Sequence, residues 1–249
     1  QLILSFNLKL NCVNLIDLPC KLLCASAAAY CIPTDATNTI KNYCGNENKQ
    51  YRAIGFVEAP HIVVAEQINA ALVGKTNTEV IIAFRGTLTP ALHWDAVLDW
   101  LQDFWAEPTT NINLPGKIHS GFLSAVLSLS EGISQAIKAI NPDNNLPVYI
   151  TGHSKGGGMA PIAAMYLKNT VNINAKQVIT FAGPNAGNNE FCEAYNNTFP
   201  NHLRYENYLD LVPLLPPTTE LVAVLDSIHS VPNWLKALLN KSKDWNYQT

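Results

Sequence analysis

The chain has 249 residues, a formal net charge of −3, 48% hydrophobic residues and only 14% charged ones. That apolar fraction excludes a disordered chain, and the near-neutral charge argues against a nucleic-acid partner held by phosphate contacts. No apolar run reaches the roughly 18 residues of a membrane-spanning helix, and no repeat or long linker divides the sequence, so residues 1–249 read as one soluble domain with ample core.

Cys12, Cys20, Cys24, Cys31 and Cys44 crowd into the first fifth of the chain, with Cys192 apart. Such crowding suggests a disulfide-braced N-terminal region and hence a secreted or extracytoplasmic setting. Cys31 with Cys44 is the pairing that their separation suggests. No C-x-x-C pair occurs, so a zinc cluster is not expected. Asn196-Asn197-Thr198 and Asn240-Lys241-Ser242 are glycosylation sequons, of a kind an Asn-rich chain also produces by chance. Leu22 to Tyr30, rich in small residues, reads as a first helix.

Further along, Glu79 to Phe84 has the composition of a buried strand and ends at Arg85-Gly86-Thr87. Asp95, Asp99 and Asp103 recur at every fourth position, which we read as a solvated helix stripe rather than a metal face. From Gly121 to Ile140, apolar Phe122, Val126, Leu129, Ile133, Ile137 and Ile140 follow a helical period. Pro147 to Ile150 is a second strand, Met159 to Leu167 a helix, Gln177 to Phe181 a third strand and Leu203 to Leu209 a fourth. Strands separated by helices in this way form a mostly parallel sheet covered on both faces, with chemistry at the carboxyl ends of the strands. The expected class is α/β.

Gly152-His153-Ser154-Lys155-Gly156 follows the second strand and precedes a helix. A serine on so sharp a turn projects its hydroxyl from the sheet, and glycines two residues to either side relieve the crowding. With the helix beginning there, the Lys155 amide points toward an oxyanion formed at the serine. Gly156, Gly157 and Gly158, with Pro161, lower helix propensity, so helicity here must come from burial.

A serine hydroxyl needs a base, and the base an orienting group. On this fold the chain order is nucleophile, carboxylate, histidine. Among the acidic residues after Ser154, Asp210 alone ends a strand. Two histidines follow: His202 lies at the amino end of the fourth strand, the wrong edge. His229 precedes Ser230-Val231-Pro232-Asn233-Trp234, where Ser230 resembles an N-cap and Pro232 sits in the first turn. His229 is therefore the candidate base. His153 would have to bend back to serve, and His61, His93 and His119 come too early in the order. Thr87 stands at the end of the first strand, positioned to supply the second oxyanion amide. A lost donor of that kind typically costs about 3 kcal/mol in the transition state.

In this order, Ala27-Ala28-Ala29-Tyr30-Cys31, Phe84-Arg85-Gly86-Thr87, Asp99-Trp100-Leu101-Gln102-Asp103, His119-Ser120-Gly121-Phe122, Gly152 through Gly157, Phe181-Ala182-Gly183-Pro184 and Arg204 through Pro213 resemble the class 3 (fungal-type) lipases. The resemblance covers Ala25 to about Leu239. It implies an α/β-hydrolase fold with Ser154 as nucleophile, Asp210 as acid, His229 as base, and Thr87 and Lys155 as oxyanion donors. It also implies lipid ester substrates at a lipid–water interface and no metal or organic cofactor. Leu88 to Val97 takes the place of the family's lid, with Leu92, Trp94 and Val97 as its apolar residues; a fixed loop with Trp94 in the core is the competing reading. Two departures stand out. Only 19 residues separate Asp210 from His229, fewer than in the fungal members, and Lys155 replaces an apolar residue, which would bias the site toward polar or anionic head groups. A phospholipase A1, a feruloyl-type esterase and a catalytically silent lipid-binding relative remain open on the same scaffold.

Overall fold

The computed structural model describes residues 17–33, 47–66, 68–87, 105–207, 210, 212–226, 237, 242 and 245–248. The chain begins with helices α1 (Leu18–Ala29) and α2 (Glu47–Ile54), then strands β1 (His61–Ala65), β2 (Asn69–Lys75) and β3 (Val80–Phe84). Next come β4 (Pro108–Asn111), β5 (Leu114–His119) and the long helix α3 (Ser120–Ile140). Strand β6 (Val148–His153), helix α4 (Lys155–Val171) and strand β7 (Ala175–Phe181) form the centre. After them lie β8 (Gly187–Asn188), α5 (Asn189–Thr198), β9 (Leu203–Tyr205), a 3-10 turn at Val212–Leu214, α6 (Thr219–Asp226) and β10 (Tyr247–Gln248).

The main sheet runs β1-β2-β3-β6-β7-β9. Its first two pairings are antiparallel and its last three parallel. Side-chain alternation along these strands divides the core in two. Ala71, Val73, Val80, Ile82, Phe84, Val148, Ile150 and Val178 pack under α3 and α4. Leu72, Ile81, Ala83, Tyr149, Ile179 and Phe181 pack under α1. The expected mostly parallel sheet with helices on both faces is therefore what forms. A second, antiparallel sheet of order β10-β8-β5-β4, which the sequence did not suggest, lies beside it.

Several boundaries move for physical reasons. The second strand runs on through Gly152 and His153 rather than stopping at Ile150, because Gly152 and His153 keep pairing with Thr180 and Phe181 of β7. Helix α4 starts four residues earlier than Met159 despite its glycines, and it buries Gly156, Gly157, Gly158 and Pro161 along with its apolar residues. Burial outweighs propensity there. The fourth strand ends at Tyr205 instead of Leu209. Its partner β7 terminates at Phe181, which pairs with Tyr205, so the next residues have no strand to join. Asp210 consequently does not end a strand; its amide donates to Asn207 O at 2.9 Å.

Cys24 and Cys31 are both disulfide-bonded, while Cys20 and Cys192 are in the thiol form. Cys44, the partner expected for Cys31, lies outside the described residues. No helix among the described residues is long and apolar enough to cross a membrane.

Candidate active site

Ser154 stands between β6 and α4 with φ 57° and ψ −129°, a conformation rare for a side chain-bearing residue and one that stores about 1–3 kcal/mol of strain. The strain is held in place by backbone. Ser154 N–H donates to Phe181 O at 3.0 Å, and its carbonyl accepts from Gly157 at 2.7 Å. A Cβ on Gly152 would lie 2.2 Å from Gly156 O, and one on Gly156 would lie 2.3 Å from Phe84 O. The first turn of α4 thus rests directly on the ends of β3 and β6, which explains why both positions are glycine. The serine is 4% exposed, and its Oγ has no hydrogen-bond partner among the described residues.

Thr87 comes to the same edge. Phe84 and Gly152 are register partners on adjacent parallel strands, so the loop leaving β3 runs alongside the turn leaving β6. That loop is anchored by Arg85, whose guanidinium donates to Ile32 O at 2.9 Å and Ile68 O at 2.6 Å and whose amide donates to Ala70 O. Lys155 is the first residue of α4, and the amide of a first residue is directed out of the helix start. Its ammonium donates to Asn69 Oδ1 at 3.0 Å, so the charge that the sequence suggested for head-group recognition is engaged within the protein.

Asp210 lies beyond the end of β9, two strands across the same carboxyl edge. One carboxylate oxygen accepts from Val212 N–H at 3.0 Å. Burial raises its pKa, partly offset by the Val212 N–H, and the charge of Glu206 raises it further. The segment that follows Asp210 is tied to the sheet by Arg204, which donates to Pro213 O at 2.7 Å, Gly183 O at 2.9 Å and Asn185 Oδ1. Asn185 in turn donates to Pro216 O. Neither Arg85 nor Arg204 was legible as an anchor in the sequence. For Arg85 the one available signal was its place at the end of a buried apolar strand, where main-chain carbonyls are the ready acceptors.

His229 and the lid candidates Leu92, Trp94 and Val97 lie outside the described residues, as do His93 and Asp95, Asp99 and Asp103. Of the remaining histidines, His119 is fully buried, caps α3 by accepting from Phe122 N–H and stacks on the Phe122 ring at 3.6 Å. His202 is hydrogen-bonded to Thr180 Oγ1 at 3.0 Å, and burial holds its pKa down at about 4, with the nearby charge of Arg204 adding to the effect. His61 is exposed. A cavity of about 440 Å³ opens between α4, α5 and β9, bordering Gly157 and Gly183 at the rear of the serine turn; Ser154 does not line it. No group of three or more His, Cys, Asp or Glu side chains suited to a metal ion occurs among the described residues.

A mostly parallel sheet carrying a strained serine between a central strand and its following helix defines the α/β-hydrolase type of protein. Within that type the chain belongs to the class 3 lipase family, whose model matches residues 81–220. It is 29% identical to the chloroplastic phospholipase A(1) DAD1 of Arabidopsis thaliana, covering 68% of this chain and 41% of that one. Its identity to the secreted mono- and diacylglycerol lipase 1 of Fusarium solani is 28%, covering 56% and 40%. The chain spans about half the length, or less, of the curated relatives it matches. The crystal structure of M37 lipase superposes with a TM-score of 0.66 at 21% identity, over 94% of this chain and 83% of that one.

Proposed function

We propose that the protein is a serine carboxylester hydrolase acting on acylglycerols or similar lipid esters, with residues 1–249 forming one catalytic domain. The observation that carries this reading is Ser154, buried and strained at the strand-to-helix turn with its hydroxyl unbonded among the described residues. His229 takes the serine proton as Oγ attacks the ester carbonyl and returns it to the leaving alkoxide. Asp210 holds the imidazole tautomer through the carboxylate oxygen not used by Val212. The amides of Thr87 and Lys155 receive the oxyanion, and water then releases the acid from the acyl-enzyme. This chemistry requires no metal or organic cofactor. Leu92, Trp94 and Val97 form the apolar face of a short lid. A secreted or extracytoplasmic setting fits the two disulfide-bonded cysteines and the Fusarium relative described as secreted.

The similarity to a phospholipase A(1) supports a second reading on the same residues, cleavage of a phospholipid acyl ester. The test is hydrolysis of p-nitrophenyl esters of two to sixteen carbons, beside diacylglycerol and phosphatidylcholine, by the wild type, Ser154→Ala and His229→Ala. Loss of roughly 10⁴-fold or more in both variants is the expected result. An active His229→Ala enzyme would remove the histidine assignment, and a wild type inert to every ester and to a fluorophosphonate would leave a silent lipid-binding protein.

A further inference from the structure

One buried contact behind the serine has no part in the mechanism above. Tyr30 follows the last residue of α1, and its hydroxyl lies 2.8 Å from His153 Nδ1. His153 is the residue before Ser154, and alternation along β6 turns its ring toward the α1 face while Gly152 faces α4. The same hydroxyl abuts the oxyanion loop, since a Cβ on Gly86 would lie 2.0 Å from it and 2.6 Å from His153 O. Gly86 immediately precedes Thr87. Three pieces of chain therefore meet at one phenol: the end of α1, the residue before the serine, and the residue before the Thr87 amide.

We propose that Tyr30 is a positioning residue whose hydroxyl, bonded to His153 and packed on Gly86, fixes the separation between Ser154 and the Thr87 amide. The inference rests on the reading of Ser154 as nucleophile and Thr87 as oxyanion donor. An oxyanion donor acts only when it lies about 2.7–3.1 Å from the oxygen in the transition state. The substrate's ground-state carbonyl occupies a different position and demands less of it. A strut that sets this spacing therefore acts on kcat and leaves substrate binding alone. Burial supports a permanent, uncharged bond: it pushes the phenol pKa well up and the imidazole pKa down to about 4, so both partners are neutral at ordinary pH. The Tyr30 ring also packs at 5.8 Å from the His153 ring, and that contact survives removal of the hydroxyl.

The experiment compares wild type, Tyr30→Phe, His153→Asn and the double variant, with Ser154→Ala as reference. It reads kcat and KM on p-nitrophenyl butyrate and the inactivation rate by a fluorophosphonate, whose phosphoryl oxygen takes the oxyanion position. Tyr30→Phe is expected to lower kcat about tenfold with KM within about twofold, and to slow inactivation in the same proportion. His153→Asn places an amide where Nδ1 lies and keeps most of kcat; combined with Tyr30→Phe it falls no further than Tyr30→Phe alone. If Tyr30→Phe does not fold, His153→Ala against His153→Asn serves instead, the alanine losing about tenfold and the asparagine little. Wild-type kcat and inactivation rate in Tyr30→Phe, or a change confined to KM, overturns the proposal while an inactive Ser154→Ala leaves the nucleophile standing. An active Ser154→Ala overturns the functional reading itself.

Discussion

The two sides of the catalytic edge are held by different means. At the junction of β6 and α4, backbone rests on backbone: Gly152 meets Gly156, Gly156 meets the end of β3, and Ser154 N–H is spent on Phe181 O. Two strands away, the segment bearing Asp210 follows an edge strand of three residues whose Leu203 and Tyr205 are 41% and 45% exposed, and the Arg204 guanidinium reinforces a main-chain bond from Asn185 N–H to Leu215 O. A backbone contact cannot relax by choosing another rotamer, whereas a side-chain tether can. The serine side is thus rigid by construction, and the acid side leans more on side chains, with Arg204 making three of the bonds.

The largest expected effect tests that rigidity. Gly152→Ala drives a methyl into the Gly156 carbonyl and should cost about 3 kcal/mol or more, read as a lowered urea midpoint or failure to fold. A wild-type midpoint would break the contrast. On the other side, Arg204→Met strips three main-chain and amide acceptors of their donor and should cost about 2–3 kcal/mol. Its esterase activity should fall further than its stability at assay temperature accounts for, because the Pro213 carbonyl, three residues past Asp210, loses its anchor.

Acid sharpens the comparison, because each side holds one histidine kept neutral, His153 buried and His202 half-buried. His153 and His202 both have pKa values lowered to about 4. Unfolded, each binds a proton near pH 6.5; folded, it does not until about pH 4. Stability is therefore undiminished above pH 6.5, falls as pH descends from 6.5 to 4 by up to about 1.4 kcal/mol per unit for each histidine, and loses nothing more from these groups below that. His202→Asn should remove the acid-side share of the slope in urea titrations, leaving the share of His153. The smallest effect belongs to the exposed face of the edge strand, where Leu203→Thr should change stability by no more than about 0.5 kcal/mol.

What the sequence made legible tracks the same division. The Gly152-x-Ser154-x-Gly156 turn is a local pattern, so it could be read without a fold, although only Gly152 answers to neighbours in sequence and Gly156 answers to the end of β3. Strand β3, the start of β6 and β7 from Val178 onward are buried on both faces and announce themselves as apolar runs. The length of β9 was not legible, because it depends on where β7 stops, a fact written elsewhere in the chain. Asp210 was expected to end the fourth strand, but that strand stops at Tyr205 and the Asp210 amide donates to Asn207 O instead. The second sheet was invisible because its strands are short and polar, and β8 and β10 have two residues each. Arg85, Arg204 and Tyr30 escaped because their partners are main-chain atoms, a histidine ring and a glycine far away in sequence.

The second sheet also carries a consequence for the order in which the molecule is assembled. Tyr247 is fully buried, pairs with Asn188 in β8, bridges Thr218 and donates to Ala106 O at 2.8 Å. Three segments, at Ala106, Asn188 and Thr218, are joined by a strand of two residues. During synthesis the six strands of the main sheet are all available once Tyr205 has been made, and domains tend to fold as their chain emerges. The smaller sheet cannot close until residue 248 has left the ribosome. A nascent chain halted anywhere in the forty-odd residues between them would hold a complete serine turn beside an open seam.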